Sequence, residues 1–222
     1  MLQLLLRADG VLRRRRWGAD PAALPSLVAI VVVFGMIYGG VMGSYSALST
    51  ERAWQILFSA VKVPLMLLAT FAISLPSFMV LNTLLGLRDD LADALRAVLA
   101  TQAALAIILA SLAPVTAFVY LSAQRYFTAV AFNGLMFAVA SFSAQIVLHD
   151  YYQRLIARNP RHRWMVRLWA LVYVFVGIQM AWILRPFIGD PTSPVEFLRP
   201  QRWDNAYLKV VNLVWQVIEG WL

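Results

Sequence analysis

Five apolar runs, residues 27–48, 56–81, 97–121, 127–148 and 165–187, decide what this chain can fold into. Each is close to the ~20 residues that a helix rising about 1.5 Å per residue needs to cross bilayer hydrocarbon. Backbone N–H and C=O groups find no water there, so a crossing segment must satisfy them within itself, as a helix does. The expected fold is all-α, a polytopic transmembrane helical bundle of five spans. Composition points the same way: 61% of residues are hydrophobic, 14% are charged and the mean hydropathy is +0.70. A soluble domain carries about 25% charged residues. Pro64 and Pro76 leave one variant open, in which 56–81 is a re-entrant hairpin and only four segments cross.

Charge sets the orientation. Arg7 and Arg13 to Arg16 precede the first run, Arg88 and Arg96 belong to the second connection, and Arg154, Arg158, Arg161 and Arg163 to the fourth. The alternate connections hold only Arg52 and Arg125. The positive-inside rule then places the N-terminus and the even-numbered connections in the cytoplasm and the C-terminus outside, with a bacterial inner membrane as the expected location. The chain divides into a cytoplasmic basic head (1–26), the bundle (27–187) and an extracytoplasmic tail (188–222). The net charge of +8 lies between apolar runs rather than on a soluble module, so nucleic acid is not an expected partner. Anionic lipid headgroups are, at Arg13, Arg14, Arg15 and Arg16. Leu2 to Leu6 is too short for a secretory signal and precedes its basic run, so 27–48 is read as a retained span.

The tail has two parts. Pro186, Pro191, Pro194 and Pro200 make the first extended and stiff. In the second, Trp203, Tyr207, Val210, Val214, Val217 and Trp221 step by four and three, which is one face of an amphipathic helix with Asp204 as its N-cap. That face is expected to lie on the outer leaflet or to dock on a partner.

Several residues inside the spans invite a function. Gly35, Gly39 and Gly43 recur every four residues, and a face without side chains packs closely on a neighbouring span, a second copy or another subunit. Asn133, Phe137, Ser141 and Gln145 form one stripe of the fourth span, and Gln102 and Gln179 are polar at membrane depth. Such groups should point into the bundle, as interhelical hydrogen bonds or as a polar permeation path. The spans carry no Asp or Glu, which counts against a proton-coupled pump. Lys62, within the second span, is expected to snorkel to the outer interface. Asp89, Asp90 and Asp93 follow Gly86 and are expected to cap the next helix rather than hold a divalent cation.

His149 and His162 lack the spacing of helical metal ligands, and the chain has no cysteine, so neither a metal nor a cofactor is expected. No nucleotide loop, nucleophile elbow or HExxH occurs, so no catalytic residue is assigned and the chain is read as non-enzymatic. In span count, orientation and proline-bearing spans such as VKVPLMLLATFAISLP (61–76), residues 27–187 resemble the five-span Yip1-type membrane proteins. The stretches FAISLPSFMVLNTLLGLRDD, FNGLMFAVASF, IARNPRHRW and GIQMAWILRPFIGDP are similar to bacterial multi-span proteins. The Yip1-type resemblance implies a scaffolding or membrane-organising role without catalysis. The expected function is a non-catalytic subunit or scaffold that packs with other membrane proteins or with copies of itself. The alternative is a small-solute permease or channel built on the polar stripe.

Overall fold

The computed structural model describes residues 23–46, 52–122, 126–190 and 193–199. Within them five long α-helices follow one another: α1 (Ala23–Gly43), α2 (Trp54–Leu84), α3 (Leu91–Ser122), α4 (Tyr126–Arg158) and α5 (His162–Ile183). Short 3-10 turns lie at Ser44–Ser46 and Arg88–Asp90. All five helices are long and apolar enough to cross a bilayer, and the chain is a multi-pass membrane protein. α2 runs unbroken through Pro64 and Pro76, so 56–81 is a crossing helix and not a hairpin. At 31 to 33 residues, α2, α3 and α4 reach about 47–50 Å, well beyond a hydrocarbon layer of roughly 30 Å. The basic head with Arg13 to Arg16 and the tail face from Trp203 to Trp221 lie outside the described residues.

α1 packs against both α2 and α3, α4 flanks α3, and α5 flanks α2. The helices bury little of themselves: at most 39% of any span's most apolar window is covered, and only 6% for α5. Phe118, Phe127 and Phe142 are 70% exposed or more. In water such a surface would aggregate; in lipid it faces a solvent as apolar as itself.

The glycine face of α1 lies on α2. A Cβ at Gly35 would stand 3.2 Å from Pro64, and one at Gly43 would stand 2.6 Å from the Gln55 carbonyl oxygen. At Gly39 it would collide with the Ser59 carbonyl oxygen and lie 2.9 Å from Ala60 Cα. These are backbone atoms, which cannot swing aside. Small residues therefore let the α1 and α2 backbones meet, and the seam is filled from within the same chain.

At the arginine-rich end, Gly86 (φ +68°) takes the left-handed turn that ends α2, with Leu87 N–H donating to the Asn82 carbonyl at 2.8 Å. Asp93 stands in the first turn of α3 and Asp90 in the 3-10 turn before it, where acidic residues are expected, and both also meet basic side chains. His162 Nε2 stands 3.0 Å and Arg158 Nη1 3.3 Å from the Asp90 carboxylate, while Asp93 meets Arg96 at 3.5 Å and Arg158 at 3.4 Å. The α2–α3 connection is thereby tied to the α4–α5 turn, above a cluster of Phe78, Leu87, Tyr152, Met165 and Trp169.

At the opposite end the chain beyond α5 folds back onto the bundle. Lys62, expected to snorkel outward, is fully buried: its ammonium donates to the Pro186 carbonyl at 2.7 Å and sits 5.0 Å over the Phe197 ring. Gln55 Nε2 donates to the Phe187 carbonyl at 3.2 Å, and the Ser59 hydroxyl donates to the same carbonyl. Arg52 donates to the carbonyls of Asp190 (2.9 Å) and Ser193 (3.1 Å). Proline disrupts helical geometry after α5, and the carbonyls there gain donors from α2. The segment 186–190, expected as an extended tail, is instead a plug, with Ile188 only 4% exposed.

Candidate functional site: a cleft between the last two helices

α4 and α5 meet where they are joined. There the Tyr152 hydroxyl donates to Met165 Sδ at 3.7 Å and the Tyr152 and His162 rings stand edge to face, 6.1 Å apart. Further along, α4 follows α3 and α5 follows α2, so the two separate. The opening is a cleft of about 580 Å³. Met66 and Thr70 of α2 with Leu105 of α3 line it, as do Phe137 of α4 and Tyr173 of α5. Its lining on α4 runs from Tyr126 to Leu148, which at 1.5 Å per residue is about 33 Å, the depth of a bilayer.

Four of the five polar residues singled out in the spans border this cleft: Gln102, Asn133, Ser141 and Gln145. Gln179 does not, and its buried Oε1 meets no donor among the described residues. Asn133 is engaged on every side. Its Oδ1 accepts from the Tyr38 hydroxyl at 2.9 Å, and its Nδ2 donates to the Ala129 carbonyl at 2.8 Å and to the Tyr120 hydroxyl. Tyr120 in turn donates to the Met42 carbonyl at 3.3 Å. The group links α1, α3 and α4 and fixes one wall of the cleft. Sequence reasoning picked out Asn133 but missed Tyr38 and Tyr120. The signal was available, because a tyrosine hydroxyl at membrane depth needs a partner as much as an amide does. Gln102 is 3% exposed and faces the Tyr173 hydroxyl, and its Oε1 meets no donor among the described residues. It leaves a buried acceptor at the inner wall.

The end of the cleft far from the α4–α5 joint is cationic. Arg185 and Arg199 line it beside Pro186, Phe187 and Ile188. The Arg185 guanidinium stacks 3.3 Å over the Trp182 ring, and Tyr126 closes the rim by donating to the Ile188 carbonyl at 3.4 Å. Neither arginine was singled out from the sequence. Arg185 reads as the stop signal of the fifth span, and only the folded-back segment brings Arg199 to the cleft. Among the described residues no three His, Asp or Glu side chains converge as a metal site. The arrangement can take up an extended apolar guest and place positive charge at one end of it.

No family model matches the chain, and no curated protein or solved structure resembles it at a significant level.

Proposed function

We propose that the protein is a non-catalytic subunit or scaffold of a bacterial inner membrane whose bundle holds one hydrocarbon chain in the cleft between α4 and α5. The observation that carries this reading is the cleft itself: membrane-deep, mostly apolar, and left open because α4 and α5 each pack on a different neighbour. A membrane interior leaves no such groove empty, since lipid tails surround it. Orientation follows from Arg88, Arg96, Arg154, Arg158, Arg161 and Arg163, all at or near the α4–α5 joint end, which the positive-inside rule places in the cytoplasm.

A photo-crosslinking residue in place of Ser141, which lines the cleft, tests the reading against one in place of the outward Phe142. In native membranes, position 141 should give a lipid-sized adduct that resists dilution of the bulk lipid. A protein-sized adduct at 141, or exchange as fast as at 142, would overturn it.

The second reading, a solute path along α4, draws on Gln102, Ser141 and Gln145 bordering the same cleft. Against it stands Asn133, whose amide is occupied by Tyr38, Tyr120 and Ala129 rather than offered to a solute. Solute flux in reconstituted vesicles that Asn133→Leu abolishes would favour this path over the lipid-holding one.

A further inference from the structure

Charge counting along the sequence places anionic lipid at the arginine-rich end of the molecule. The folded chain puts a second concentration of positive charge at the other end, where the cleft terminates. Around it stand Arg52, Lys62, Arg185 and Arg199, against the carboxylates of Asp190 and Glu196: four cations to two anions among the described residues of that region. Arg52 and Lys62 are turned to backbone carbonyls of the plug. Arg185 and Arg199 line the cleft. A membrane-deep, mostly apolar cleft with Arg185 and Arg199 in its lining suits the tail and the charge of an acidic amphiphile.

We propose that the cleft is a binding site for an acidic membrane lipid, with one acyl chain along α4 and its phosphate or carboxylate between Arg185 and Arg199, in the leaflet opposite the arginine-rich connections. This rests on the reading of the cleft as a hydrocarbon-holding slot and names its ligand. The guanidinium pair suits the head because each presents a fork of N–H donors that matches two anion oxygens, and because the site borders apolar surface where charge pairing is screened less than in water. Tyr126 and Trp182, at the same depth, are the amphipathic rings expected at a headgroup interface. The plug explains why the site exists only in the folded molecule. Lys62, Gln55 and Ser59 hold the carbonyls of Pro186 and Phe187, in the folded-back chain that leads to Arg199, and Arg199 lines the same cleft as Arg185.

The test is native mass spectrometry of the full chain from mild detergent, offered phosphatidylglycerol and phosphatidylcholine with identical chains, and oleate in a separate arm. The expected result is one retained lipid per chain with about a tenfold or greater preference for phosphatidylglycerol. The doubly substituted Arg185→Gln, Arg199→Gln variant should keep one lipid per chain and lose the preference. Its melting temperature, compared with that of the parent chain, confirms that the bundle is intact. Displacement of phosphatidylglycerol by oleate identifies a free fatty acid as the source of the acid group. Lack of displacement identifies the phospholipid, and both agree with the proposal. Retention of both phospholipids equally overturns the headgroup assignment and leaves the hydrocarbon slot standing. Retention of neither overturns the slot as well. A preference that survives the double substitution, or that moves with Arg13 to Arg16, places the acidic lipid elsewhere and overturns the site.

Discussion

Replacing Gly39 with alanine adds a single methyl group, and the structure says where that methyl must go. It would overlap the Ser59 carbonyl oxygen and approach Ala60 Cα to 2.9 Å, where ordinary contact begins at 3.4 Å. The α1–α2 seam must therefore open by at least about 0.5 Å, and no side chain can yield because the obstacles are backbone. Overpacking of this kind costs about 1–3 kcal/mol. Alanine also gains up to about 1 kcal/mol of helix propensity over glycine. Gly40, on the next position, supplies the control: its added methyl would meet only the Ile56 side chain, at 3.9 Å. The propensity gain is common to both variants and cancels between them. Gly39→Ala should thus lie about 1–3 kcal/mol below Gly40→Ala in stability. Detergent-titration unfolding followed by circular dichroism, with both variants in the same lipid–detergent mixture, reads the difference directly. Equal stability would refute the seam, because it would mean that α1 and α2 do not approach at Gly39.

Three further outcomes follow from the contacts. A double-mutant cycle of Tyr38→Phe with Asn133→Leu should give a coupling of about 0.6–1.7 kcal/mol, the range for interhelical hydrogen bonds in lipid; additive effects would show that the 2.9 Å bond does not hold α1 to α4. Lys62→Met should leave the bundle's unfolding nearly unchanged while amide exchange speeds at 187–190, since an apolar residue avoids burying a charge but releases the Pro186 carbonyl. Unaltered exchange there would mean that the plug is held without Lys62. His162→Phe should destabilise by about 1–3 kcal/mol, because the buried ring gives up its 3.0 Å contact with Asp90. Arg154→Ala, at an exposed position nearby, should stay within about 0.5 kcal/mol, and equal losses in the two would show that His162 has no special place.

Much of this architecture is legible from the chain alone, for one reason: hydrocarbon forces each crossing segment to satisfy its own backbone. Length and apolarity therefore fix five helices before any packing is known. The same solvent makes Gly35, Gly39 and Gly43 readable as a close-packing face. It also marks Asn133 as a residue in need of partners, although not that Tyr38 and Tyr120 are those partners. Other features depend on which helices lie side by side, and no local pattern encodes that. Lys62 sits where snorkelling looks natural, yet it is buried because residues 186–190 return to cover it and offer it a carbonyl. Asp90 follows a turn as a helix cap would, and only the fold brings His162, 72 residues away, within hydrogen-bonding distance of it. Arg185 and Arg199, fourteen positions apart, come to border one cleft only because α5 leans on α2 while α4 leans on α3. The sequence determined the helices and their solvent. The pairing of helices, through contacts distant along the chain, decided where the cleft opens and which charges guard it.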